Sequence, residues 1–272
     1  GKKQIQDAID GQKKVEDDLK KDEKTEASKK TDKVIDDLAK AKEELEKRLK
    51  QLREEELERL LANLQARCEK MLGMQIEVQA GTKRVHSVVM SLEGRKPTRA
   101  EEQQSQQLST REGEIVKEAN RTLNLLGSEG TAVAFAMSLE NVRDDMSNVE
   151  KRLDKYDVGE FAQQMEQDII DALKDMIEAL KKQQQEATDR KNNPSKPNSN
   201  PPPPKSLLDL LAELKLIKAQ QVQVNKRTTD YARHYQGEQT DDPLLVKELE
   251  QLAKRQSRLE EMLKKIATGK NQ

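Results

Sequence analysis

Tryptophan is absent from the 272-residue chain, and two phenylalanines and three tyrosines supply its only aromatic surface. Hydrophobic residues make up 33 % of the sequence against 37 % charged, well under the apolar share of about 45–50 % usual in globular chains. So few greasy side chains exclude a thick core. They suffice for thin seams between paired helices, which use about two or three positions in seven. One cysteine excludes an intrachain disulfide. No apolar run approaches the roughly 18 residues of a membrane-crossing helix. A surplus of either charge is missing too, with 50 basic and 51 acidic side chains. That balance lacks the basic excess of a dedicated nucleic-acid binder, and with strong periodicity it argues against disorder along the whole chain.

What the chain has is a seven-residue apolar beat. Val34, Leu38, Ala41, Leu45, Leu49 and Leu52 follow one another in steps of four or three, the pattern of a helix burying one narrow stripe. A second register follows through Leu57, Leu60, Leu61, Leu64, Cys68, Met71, Val78 and Val85. As one helix this stretch spans about 78 Å, so the predicted fold is all-α, an elongated antiparallel bundle or coiled coil. Its helices are expected at about 34–90, 98–126 and 138–190. Residues 91–97 read as a turn, and Thr98 with Glu101 as a capping box that opens the next helix. Phe135 is expected to plug the bundle end, with Ser138 as N-cap of the third helix. Asp157-Val158-Gly159 threatens that helix, since an interior glycine costs about 1 kcal/mol. Residues 1–33 are expected to be a charged helical extension or a mobile arm, because between Lys20 and Lys33 the only apolar residue is Ala27.

Residues 192–205, with six prolines from Asn192 to Pro204, read as an extended linker; a PxxP ligand for an aromatic groove is the lesser reading. Beyond it a helical hairpin is expected over 206–272, its second helix opened by Asp242 as N-cap and Pro243 at the first position. Two helices make a marginal core, so Leu210, Leu214, Ile217, Val224, Leu249, Leu252 and Leu259 are expected to bind a protein partner or a second copy.

Reactive chemistry finds little support. Cys68 lies on the apolar beat as a small hydrophobe, and His86 and His234 have no supporting constellation. No metal-ligand spacing and no phosphate-cradling glycine loop occurs, so no catalytic residue, cofactor or metal is expected. Met71, Met74, Met146, Met165, Met176 and Met262 read as gap-filling core. Lys226, Arg227, Tyr231, Arg233, His234 and Tyr235 interleave basic and aromatic groups and offer a lesser reading as a base-stacking patch. The region from Lys205 onward carries 13 basic and 10 acidic side chains, a thin footprint for phosphate binding.

Three blocks carry a resemblance: Arg53 to Arg59 on through Met71 and Gly81 to Arg84; Glu129 to Met146 continuing to Glu166–Ile170; and Leu210–Lys215 through Val224–Thr228. Together they resemble an uncharacterised, coiled-coil-rich protein family of planctomycete-type bacteria. The resemblance implies an N-terminal export signal or anchor and hence a periplasmic or envelope location. It implies no catalytic residue and no particular partner. The expected function is a non-catalytic structural or adaptor role through helix–helix contacts. The alternative is peripheral binding of nucleic acid or an anionic membrane by the basic helix surface.

Overall fold

The computed structural model describes residues 2–21, 24–127, 133–192, 210–234 and 242–268, leaving aside the side chains of 133, 190–192, 210–212 and 234. Among these residues the chain is all-α, with seven α-helices and no strand. They are α1 (Lys2–Lys20), α2 (Lys24–Ser91), α3 (Arg99–Gly127), α4 (Val133–Asp154), α5 (Glu160–Asn192), α6 (Leu210–His234) and α7 (Pro243–Ala267). Contacts divide the chain into two compact units, Gly1–Leu60 and Leu61–Gln272.

In the first unit, α1 and the start of α2 form an antiparallel pair. The seam is made of small residues. Ala8, Ala27, Val34 and Ala41 are buried, and a Cβ on Gly11 would stand 2.6 Å from Val34 Cγ2. Lys30 Nζ bonds the buried Asp18 carboxylate at 2.5 Å. Residues 2–20 are thus helical and packed, and the expected start of the long helix at 34 moves to Lys24. An alanine seam carries little hydrophobic weight in a sequence, so the pairing was hidden among lysines and glutamates.

In the second unit, α4 is the central helix, in contact with α3, α5, α6 and α7. Leu139, Val142, Met146, Val149 and Leu153 form one buried stripe along it. One residue earlier at each step, Ser138, Asn141, Asp145, Asn148 and Arg152 form a second buried stripe, and this one is polar. The helix is therefore covered on nearly all sides. Ser138 is interior to α4 rather than its N-cap: its hydroxyl donates to Ala134 O at 2.9 Å in an alanine-rich turn that itself favours helix. Phe135 is fully buried, within the helix. Thr98 and Glu101 do form the entry to α3, with Thr98 N–H donating to Glu101 Oε2 at 3.0 Å. Asp242 Oδ1 accepts from Leu244 N–H at 2.9 Å ahead of Pro243.

Two expectations are corrected. The helix expected at 138–190 is broken into α4 and α5. Asp157 N–H reaches back to Arg152 O at 2.9 Å and Tyr156 N–H to Leu153 O at 3.0 Å, with Tyr156 at φ 63°, the geometry of a Schellman stop. A tyrosine in this left-handed position costs about 1–2 kcal/mol. Tyr156→Gly is therefore expected to cost less than about 1 kcal/mol or to stabilise in a denaturant melt, even though it removes the bond from Gln106 Nε2 to Tyr156 Oη at 3.2 Å. Nor is the C-terminal hairpin a separate domain. α6 and α7 pack on α4 and belong to the unit Leu61–Gln272, because their own two-helix core is too small and α4 offers a second stripe to close it. The expected linker falls almost wholly in residues 193–209, outside the described residues.

Candidate functional site

Burying Asp145 alone would push its carboxyl up, yet Arg227 and Arg255 outweigh burial and hold it below the usual range. Arg255 grips it bidentately, through Nη1 to Oδ2 at 2.9 Å and Nη2 to Oδ1 at 2.5 Å, and also donates to Asn141 O at 2.9 Å. Arg227 Nη1 reaches Asp145 Oδ1 at 2.5 Å, and its Nε reaches Asp168 Oδ2 at 3.2 Å. Lys226 Nζ completes Asp168 at 2.7 Å. Charges from α4, α5, α6 and α7 thus neutralise one another inside the unit.

A second cluster lies along the same seam. Arg152 on α4 donates through Nε and Nη2 to Glu248 on α7 at 3.1 and 2.7 Å, and through Nη1 to Asp157 at 2.6 Å. Its guanidinium stacks 4.5 Å above the Phe161 ring, which meets the Tyr231 ring at 5.2 Å. Tyr231 OH donates to Glu248 Oε2 at 3.0 Å. Burial and the Glu248 charge push this phenol's pKa up.

The third cluster is built from neutral hydrogen-bond donors. Gln75 Nε2 on α2 donates to Glu112 Oε2 on α3 at 3.0 Å, and Thr82 Oγ1 donates to Glu166 Oε1 on α5 at 2.6 Å. Both carboxyls are fully buried. Burial pushes Glu166 up to about 7 against the pull of the Thr82 bond and the Lys83 charge. Burial and then the neighbouring Glu166 raise Glu112 well above the carboxylate range, with Glu150 adding to the effect and Gln75 opposing it. This arrangement favours the protonated form of both carboxyls over the ionised one.

Ile217, Val224, Leu252 and Leu259 are buried in one apolar cluster with Tyr231, Leu245 and Met262. Leu214 is half-buried and Leu249 is 37 % exposed, while the Leu210 side chain lies outside the described ones. The partner site expected on the hairpin is corrected accordingly: most of its apolar residues already close the unit's own core. The basic–aromatic patch is spent the same way, since Arg227 and Tyr231 are buried and Lys226 is paired. The His234 side chain and Tyr235 lie outside the described residues. Cys68 is fully buried, and burial raises its thiol to about 12. Among the described residues no group of three or more His, Cys, Asp or Glu is placed to hold a metal ion. A groove of about 360 Å³ separates α5 from α6, with Asp168, Asp171 and Asp175 on one wall and Lys215, Lys218 and Lys226 on the other. Its charges face each other across the opening, and no nucleophile–base pair converges among its described lining residues.

Exposed large apolar residues occur in both units, as Ile76, Val88, Met90, Val222, Val246, Leu249 and Leu263 in the second, and those of the first fall in a row. Ile35, Leu38, Leu45, Leu49 and Leu52 of α2 are between 41 and 58 % exposed, and Ile5 and Ile9 of α1 are 38 and 40 % exposed. The exposed residues of α2 step by three, seven, four and three, one position round from the alanine seam. On α1, Ile5 and Ile9 sit one position round from Gln4 and Ala8; in an antiparallel pair that offset brings both sets to the same side. A row of apolar side chains of this kind is uncommon on the surface of a monomer. Covering seven half-exposed Ile and Leu side chains is worth roughly 5–10 kcal/mol, against an association cost of about 4–15 kcal/mol. Comparison with protein-family models, curated proteins and solved structures gives no match.

Proposed function

We propose that this protein is a non-catalytic structural or adaptor protein that works by docking helices, and that the docking surface is the Ile/Leu stripe of the first unit. The observation carrying this reading is that every residue from Lys42 to Arg53 is exposed, including three leucines at coiled-coil spacing. The Ile and Leu side chains of this unit are the ones left uncovered, while its own seam uses alanine and glycine. The second unit supports the reading from the other side, because its main apolar stripes and its buried charges pair internally, and its exposed apolar residues are spread over α2, α6 and α7.

A photo-crosslinking amino acid at Leu49 tests the reading in cells that produce the protein. A covalent protein adduct at Leu49, absent when the probe sits at Lys47 on the polar face, is the expected outcome. Adducts at neither position, or equal adducts at both, would remove the stripe as a docking surface.

A further inference from the structure

We infer that the occupant of the stripe is a second copy of this chain, docked antiparallel over residues 35–52 of α2. This rests on the helix-docking reading above and names its partner. In heptad terms Ile35, Lys42 and Leu49 take a positions, and Leu38, Leu45 and Leu52 take d positions. When two such helices run antiparallel, a faces d. Aligning the copies about the midpoint between Glu43 and Glu44 sets Ile35 against Leu52 of the second copy, Leu38 against Leu49, and Lys42 against Leu45. Every exposed apolar residue of the α2 stripe then finds an apolar or aliphatic counterpart. The Lys42 stem lies over Leu45 of the second copy while its ammonium stays with Glu46 of its own chain, 3.8 Å away.

Charge separates this arrangement from the parallel one. Antiparallel, the flanking positions bring Asp32 to Arg53 of the second copy. Lys13, on the same face of α1 as Ile5 and Ile9, comes level with Glu54 of the second copy. Parallel, Arg48 faces Arg53 and Lys42 stacks on its own equivalent, so like charges meet. Flanking charges of this kind set orientation in helix pairs.

The extent of α1 points the same way. With Gly11 opposite Val34 and Asp18 opposite Lys30, Lys2 stands roughly level with Glu43, counting equal rise along both helices. Among the described residues of this unit, α1 therefore covers none of the leucines at 45, 49 and 52. An antiparallel second copy supplies that cover, and its own Leu45 and Leu49 arrive beside Ile5 and Ile9. The seam is about 27 Å long and two helices wide. Its area is on the order of 600 Å² per partner, at the lower edge of stable interfaces.

Sedimentation equilibrium of the full chain tests the pairing, and cysteine cross-linking tests its direction. The chain should dimerise reversibly in the micromolar range. Leu45→Glu should weaken the dimer at least about 100-fold while leaving helicity by circular dichroism unchanged, because that side chain is half exposed in the single chain. In a Cys68→Ala background, Leu38→Cys mixed with Leu49→Cys should form a disulfide-linked dimer, and neither variant alone should do so. Self-linking of each variant alone would overturn the antiparallel register. A strictly monomeric chain would overturn the inference altogether, whereas an adduct to a different protein at Leu49 in cells would overturn the second copy as occupant and leave the docking reading standing.

Discussion

Asp145→Ala lowers the unfolding free energy of the second unit by about 3–5 kcal/mol, the cost of leaving buried charge without its partner. The carboxylate accepts three bonds from two arginines that are themselves 5 % exposed. Arg227 keeps Asp168 as a second anion, but Arg255 keeps only the Asn141 carbonyl. The loss should therefore be far greater than for Lys264→Ala, whose partner Glu260 lies in solvent with it, since exposed pairs of that kind barely affect stability. Replacing the whole set, as Asp145→Leu and Asp168→Leu with Arg227→Met and Arg255→Met, should recover most of the loss, because apolar residues of similar volume carry no desolvation cost and no buried carboxylate is then left without its arginine. Urea unfolding of the parent and both cluster variants decides it. A single Asp145→Ala costing under about 1 kcal/mol would mean that water reaches the arginines and that the cluster is not closed.

This cluster also shows where the sequence is legible and where it is not. The helical course of α2 is open to inspection, and so are the entries to α3 and α7, since leucine spacing and capping side chains report backbone directly; the stripe expected to be buried through Leu38, Leu45, Leu49 and Leu52 is exposed instead, because spacing gives the face of a helix and not what covers it. The seams of α6 and α7 are readable only in half. In α7 the true stripe runs Leu245, Glu248, Leu252, Arg255, Leu259 and Met262; in α6 it runs Glu213, Ile217, Gln220, Val224, Arg227 and Tyr231. Glu248, Arg255, Gln220 and Arg227 keep the three-and-four step, so position was a usable signal. Their chemistry masked it, because a charge on a helix is normally solvated. Taking the leucines alone made the hairpin look unfilled and suggested a partner there. The polar stripe of α4 that completes it, Ser138 to Arg152, reads as an ordinary wet face until α6 and α7 are laid on it. In α1 the opposite masking applies: alanine and glycine pack closely but barely register as hydrophobic, so the segment looked unable to bury anything.

Between pH 4.5 and about 7 the second unit should lose stability as pH rises, and Glu166→Gln should abolish much of that loss. Burial raises the Glu166 carboxyl from 4.5 to about 7 in the folded chain, so the folded state binds a proton there that the unfolded state releases. A group raised on folding contributes its full stability below the unfolded value and loses it as pH climbs through the folded one. For Glu166 the whole swing is about 3 kcal/mol. Glu112, raised by burial and by Glu166, acts with the same sign. The groups acting on the pair are Gln75, Thr82 and Lys83 of α2, with Glu150 of α4. Of these only Lys83 is cationic, and it is exposed, too well solvated to offset the burial. Asp145 and Glu118, held low by their cations, affect stability with the opposite sign but only below the ordinary carboxylate range; Asp175 on α5, raised by partial burial and then by Glu178 and Asp171, adds to the loss with the same sign, and the Glu166→Gln variant separates the inner carboxyl from it. Glutamine copies the neutral carboxyl in shape and still accepts from Thr82, so the variant should match the parent at pH 4.5 and exceed it by up to about 3 kcal/mol at pH 8. Stability that holds level or rises from pH 5 to 8 in the parent would mean that the two carboxyls are ionised and hydrated, and the inner seam of α2, α3 and α5 would then have to admit water.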